Sequence, residues 1–145
     1  MLLDLLSRME YLIFISHSSE DTWIAKKMAA ECESVHASTF LDESRIAVGA
    51  KFEEDILQAL RVAHELVVLM TPWAIERPYV WLEIGAAWLR GIPIVVVLLG
   101  LTVVQFHERA NIPVALRERN LISLNHFDRY ISELRDRVAH HHRNG

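Results

Sequence analysis

Apolar residues along this chain fall into two kinds of segment. Tyr11-Leu12-Ile13-Phe14-Ile15, Leu66-Val67-Val68-Leu69-Met70 and Ile94 through Leu99 are short runs that are apolar at every position. Between them, apolar residues recur every three or four positions. The first kind predicts strands buried on both faces of a sheet, and the second predicts helices lying against those faces. Residues 36–41 and 121–124 read as two shorter strands. The helical stripes are Trp23, Ile24 and Met28; Phe52, Ile56, Ala59, Leu60 and Ala63; Val80, Ile84, Ala87 and Trp88; and Phe127, Ile131, Leu134 and Val138. Glu53, Glu54 and Asp55 stand near the start of the second stripe, where the helix dipole favours acids. Gly91 supplies the stop signal of the third. The stretch between the fourth and fifth strands reads as a long connection.

Fully apolar strands alternating with amphipathic helices predict an α/β protein with a parallel sheet covered on both sides. Five such units in this length predict a flavodoxin-like three-layer fold with strand order 2-1-3-4-5. In that topology ligands bind beyond the carboxyl ends of strands 1 and 3, where the winding reverses. The loops there are residues 16–21 and 71–79. Glu83 falls in the first turns of the helix after strand 3, and Tyr79 four residues earlier shares its face. A carboxylate and an aromatic ring are therefore expected together beside the crevice.

Composition narrows the picture. The chain has 145 residues, a net charge of −4, 52% hydrophobic and 23% charged residues. That length suits one domain, taken as residues 10–140 between an N-terminal extension (1–9) and a disordered tail (141–145). No basic cluster is present, which argues against nucleic-acid binding through phosphates. Cys32 is the only cysteine, so no intrachain disulfide can form; it is expected to be a small buried residue. The apolar residues 92–104 contain Pro93 and Gly100 and are too short to span a bilayer, which takes about 20 residues. Residues 1–6 lack the flanks of a signal peptide. A cytoplasmic protein without membrane contact is expected.

Several chemistries common on such sheets lack their motifs. There is no Gly-x-x-x-x-Gly-Lys-Ser/Thr, no Gly-x-Gly-x-x-Gly and no Gly-x-Ser-x-Gly. Strand 1 ends in Ser16-His17-Ser18-Ser19 and strand 3 in Met70-Thr71, without the acids of a phosphate-receiving domain. The serine-rich first loop lacks the glycine a flavin phosphate site would use.

The remaining motifs resemble one family. Residues 11–21, Tyr-Leu-Ile-Phe-Ile-Ser-His-Ser-Ser-Glu-Asp, resemble the first signature of TIR (Toll/interleukin-1 receptor) domains. Phe40-Leu41-Asp42, then Ile46 and Gly49, resemble the second strand and the BB loop after it. Leu69-Met70-Thr71-Pro72 is similar to the third strand's Leu-x-Ser-Pro, Tyr79-Val80-Trp81-Leu82-Glu83 to Trp-x-x-x-Glu, and Ile92-Pro93-Ile94 to the start of the fourth strand. The resemblance covers roughly residues 10–140, in the family's order, and is greatest to bacterial anti-phage TIR proteins. Arg77 stands where many members have Ser, Tyr79 replaces Trp, and Val48 replaces a Pro.

The resemblance implies cleavage of the nicotinamide–ribose bond of NAD⁺, by hydrolysis or by cyclisation to a cyclic ADP-ribose, in anti-phage signalling. NAD⁺ would be substrate; no cofactor and no metal are expected. Nicotinamide departs as a neutral molecule, so no acid is needed to protonate it, unlike the leaving group of an ordinary glycosidase. One ionised carboxylate that stabilises an oxocarbenium-like ribose suffices. By resemblance Glu83 is that catalytic residue. Ser16, His17 and Ser18 would position ribose or phosphate, Tyr79 would stack on a substrate ring, and Phe40, Asp42 and Arg45 would close the site from the BB loop. Family members assemble through TIR–TIR contacts that include this loop, so a homo-oligomer, with an activator or downstream effector protein, is implied.

Plainer readings stand beside these. Glu83 is otherwise a solvated acid or an acid serving a helix N-terminus. Asp42 shapes a loop, His17 bonds its own loop, and Trp73, Trp81 and Trp88 pack. His140, His141 and His142 point in different directions on a helix and cannot chelate together. Arg135, Arg137 and Arg143, balanced by Glu133 and Asp136, read as a solvated face. As alternatives, the chain is a non-enzymatic TIR–TIR interaction module or, more remotely, a nucleoside deoxyribosyltransferase-like enzyme.

Overall fold

Strands form where β-branched and large apolar residues run without interruption, and helices form where the pattern becomes one-sided. The computed structural model describes residues 10–41, 50–109, 116 and 120–144. The strands are β1 (Leu12–Ser16), β2 (Ser38–Leu41), β3 (Glu65–Met70), β4 (Ile94–Leu98) and β5 (Leu121–Ser123). The helices are α1 (Thr22–Ser34), α2 (Ala50–Val62), α3 (Pro78–Arg90), α4 (Val103–Arg109) and α5 (Phe127–Asn144). All strand pairings are parallel and the order is β2-β1-β3-β4-β5. This is the doubly wound sheet the alternation predicts, with the winding reversing between β1 and β3.

The sheet separates two apolar layers. On one face Phe14, Leu66, Val68, Met70 and Val96 meet Ile56 and Leu60 of α2 and Val80 and Ile84 of α3. On the other, Ile13, Ile15, Val67, Leu69 and Val97 meet Met28 and Cys32 of α1 and Ile131 and Leu134 of α5. Alternate residues of one strand thus feed opposite cores, which is why β1 and β3 are apolar throughout. Cys32 has no exposed surface, and burial pushes its thiol up to about 12. It is packing, not a nucleophile.

Two helix ends are fastened by identifiable groups. Gly91 adopts φ 71° and its N–H reaches back to the carbonyls of α3's last turn, a left-handed cap that suits glycine. Arg90 donates from Nη1 to the carbonyl oxygens of Leu60 and Ala63 at 2.8 and 2.7 Å, which ties α3 to the end of α2.

At the amino edge of the sheet, Glu65 is fully buried and its carboxylate accepts from Tyr11 Oη (2.5 Å), Tyr130 Oη (2.8 Å), Arg137 Nε (2.6 Å) and Arg137 Nη2 (3.0 Å). Four donors compensate the buried charge and bind α5 to β1 and β3. Burial and the neighbouring carboxylate push the Tyr11 hydroxyl far up. Arg137 therefore departs from the solvated face read in the sequence: its stem reaches across to Glu65.

Two other expectations change. The long connection before β5 contains α4, opened by a reciprocal cap in which Gln105 N–H donates to Thr102 Oγ1 (3.1 Å) and Thr102 N–H to Gln105 Oε1 (2.9 Å). The tail expected to be disordered from 141 is helical as far as Asn144. The His141 ring stands edge-on to Tyr11 and His64, at 5.4 and 4.8 Å between centroids. These packing contacts hold the last turn against the sheet edge. Among the described residues no helix is long and apolar enough to cross a membrane.

Candidate active site

Among the described residues seven polar or charged ones are buried, and six of them, all but Glu65, gather at the carboxyl ends of β1 and β3: Ser16, His17, Ser18, Asp21, Thr71 and Glu83. Polar groups are costly to bury, so their concentration in one corner marks the place where the fold does something other than pack.

Glu83 sits on α3, on the stripe Val80, Glu83, Ile84 and Ala87 that faces the sheet. Pro78 occupies the first turn, where its missing N–H costs nothing, and Arg77 before it is extended. Only 1% of Glu83 is exposed, so the solvated-acid reading does not hold. Ser16, the last residue of β1, donates from Oγ to Glu83 Oε1 at 2.6 Å. Ser16 follows Phe14 by two positions and shares its face, which is the face α3 covers. The pairing therefore follows from strand alternation.

A cavity of about 430 Å³ opens beside Glu83. Ile56, Leu57 and Leu60 of α2 form one wall; Pro78, Tyr79, Leu82, Glu83 and Ala86 of α3 form the other. Tyr79 is 46% exposed at its rim. An apolar cleft with one carboxylate and an aromatic edge fits a ligand that pairs a flat ring with a polar, charge-developing centre.

Ser18, His17 and Phe40 do not line this cavity. Ser18 Oγ donates to Asp21 Oδ2 at 2.6 Å. His17 Nδ1 donates to the Ser18 carbonyl oxygen at 2.7 Å, and its Nε2 is buried with no hydrogen-bond partner among the described residues. Phe40 lies in β2, its ring stacked on Phe14 at 5.2 Å, so it belongs to the strand and not to a closing loop. Asp42 and Arg45 lie outside the described residues, as do the extension 1–9 and Ile46, Val48 and Gly49.

Sequence reasoning missed the contribution of Asp21 and Thr71. Thr71 Oγ1 donates to Asp21 Oδ2 at 2.6 Å while accepting from Ala74 N–H at 3.1 Å. Outside this pair, Arg77 Nη2 donates to Glu20 Oε1 at 2.7 Å. The loops after β1 and β3 are thus joined twice. Acid and hydroxyl residues at the two strand ends were visible in the sequence, but not their pairing across 50 residues.

Among the described residues no group of three or more His, Cys, Asp or Glu could hold a metal ion.

The family model described as "TIR domain" matches residues 13–137. The structure is similar to the TIR domain of the Toll-related receptor TRR-2 from the lower metazoan Hydra magnipapillata. That match has a TM-score of 0.62 and 16% sequence identity, and covers 85% of this chain and 97% of that one. At this identity the likeness is one of fold. No curated protein matches the chain.

Proposed function

The chain belongs to the TIR domain family, and on that premise we propose that it cleaves NAD⁺ between nicotinamide and ribose, with Glu83 as the catalytic carboxylate. The observation that carries this reading is the buried Ser16–Glu83 hydrogen bond at the wall of the α2–α3 cavity. As the bond to neutral nicotinamide lengthens, positive charge grows on the ribose. A carboxylate fixed in a poorly solvated cleft stabilises that charge with no reorganisation. Ser16 holds the carboxylate's orientation, and the apolar wall of Ile56, Leu57 and Leu60 excludes water from the leaving ring. Tyr79 at the rim offers a face for stacking. Hydrolysis to ADP-ribose and cyclisation are both open to such a site, and bacterial anti-phage signalling is the setting the sequence resemblance implies.

The test is nicotinamide release from NAD⁺ by concentrated protein, with products resolved by mass. Glu83→Gln should abolish release while thermal unfolding stays close to that of the unmodified protein. Release unchanged by the substitution would overturn the assignment.

A second reading has its own observation. TIR domains associate with one another or with other TIR proteins, and α3 exposes Leu82 (62%), Trp88 (57%) and Leu89 (81%). Large exposed apolar side chains on one helix suit an interaction surface. A non-enzymatic module would self-associate with rising concentration and leave NAD⁺ intact.

A further inference from the structure

We propose that Asp21 is a positioning residue for the Glu83 site, acting through Ser16; this rests on the reading of Glu83 as the reacting acid. Asp21 is 5% exposed. It does not line the α2–α3 cavity. One of its carboxylate oxygens, Oδ2, receives two hydroxyls, from Ser18 of its own loop and from Thr71 of the loop after β3, each at 2.6 Å. Its backbone N–H closes the turn onto the Ser18 carbonyl at 3.0 Å.

The consequence follows from chain connectivity. Ser16 and Asp21 are the two ends of one six-residue loop. Ser16 bonds Glu83 on the α3 face of the sheet. Asp21 bonds Thr71, whose Oγ1 also accepts from Ala74 N–H and whose carbonyl accepts from Ile75 N–H. Residues 74–77 then lead into α3: Arg77 N–H donates to the Ala74 carbonyl, and Val80 N–H to the Arg77 carbonyl. The path from Ser16 through Asp21, Thr71 and Arg77 to α3 returns to Glu83, so the Ser16–Glu83 contact closes a ring made of hydrogen bonds and the chain segments between them. Ser16 itself stays in the β1–β3 ladder opposite Val68, and Glu20–Arg77 remains as a second tie. What breaking the ring at Asp21 loosens is the Thr71–Arg77 segment that seats α3, and with it the Ser16–Glu83 distance. Misplacement of a reacting group on this scale lowers turnover more than binding.

A carboxylate suits this post better than a neutral group. It accepts two short hydroxyl bonds at one atom, and charged acceptors make hydrogen bonds about twice as strong as neutral ones. An apolar or hydroxyl residue would fill the space without gathering both loops.

The experiment compares Asp21→Ala, Asp21→Asn and Ser16→Ala, singly and in combination. Asp21→Ala should lower kcat for nicotinamide release about tenfold, with KM for NAD⁺ within about threefold of the unmodified protein. Asp21→Asn, which keeps an acceptor oxygen but not the charge, should recover part of that loss. In the Ser16→Ala background, Asp21→Ala should add little, because both remove the same contact. Losses that multiply, or a kcat that does not fall, would overturn the proposal. A second readout does not need turnover: the Glu83 carboxyl ¹³C shift should move in Asp21→Ala in the same direction as in Ser16→Ala. An unmoved shift would overturn the proposal. Absence of nicotinamide release by the unmodified protein would count against the NAD⁺ reading and leave the spectroscopic test of Asp21 standing.

Discussion

Ser16 and Glu83 are separated by 67 residues in sequence and joined by a 2.6 Å hydrogen bond in a fully buried corner. A hydroxyl donating to a carboxylate there fixes which way the carboxylate faces, and hydrogen bonds to charged groups are worth about 1.5–3 kcal/mol.

Removing this donor should therefore be felt in catalysis before it is felt in folding. Ser16→Ala is expected to reduce nicotinamide release by about tenfold. The steady-state rate beside a melting curve is the measurement. A rate as high as that of the unmodified protein would remove Ser16 from the site.

The clamp at the opposite edge should behave the other way round. Arg137→Met removes the cationic partner of a fully buried Glu65 and should destabilise the fold by about 3 kcal/mol. Arg137 is partly solvated, and Tyr11 and Tyr130 continue to donate, so the loss stays at the lower end of that class of change. The urea midpoint should fall while activity per folded molecule is preserved.

His64 predicts a pH dependence of stability. Burial holds its ring below the ordinary histidine value, with His141 and Arg90 adding to the effect and Glu65 opposing it. Its Nδ1 also accepts Leu12 N–H at 3.0 Å, a bond that protonation at that atom would break. The folded state thus binds this proton less readily than the unfolded chain. The stability it contributes is complete above the free-histidine value of about 6.5 and is lost as pH falls below it. Unfolding free energies by urea at about pH 7.5 and about pH 5.5 should show the drop, and His64→Gln should shrink the difference between them.

The sheet was legible because burial on both faces leaves short unbroken apolar runs, rich in β-branched residues and bounded by polar loops, at β1, β3 and β4. Glu83 and Tyr79 were legible from their spacing on the helix beyond β3, and Ser16 from its place at the end of β1. Helix α4 was not, being only seven residues long. Its reciprocal cap between Thr102 and Gln105 was the signal available. Arg137 was misread because its neighbours are charged and solvated, and nothing local to α5 says that a buried Glu65 waits on β3. The partnership of Asp21 with Thr71 was hidden for the same reason: it exists only once β1 and β3 lie side by side.

One further consequence lies in β3. Its first residue, Glu65, is held by Tyr11, Tyr130 and Arg137, and Thr71, just beyond its last, is held by Asp21. Six positions apart, the two share a face of the strand. A slip of one residue would turn both away from their partners together. A single codon inserted or deleted within β3 would break the amino-edge clamp or the carboxyl-edge latch whichever way the strand realigned, so natural variation in the length of this chain belongs in its loops and not in its spine.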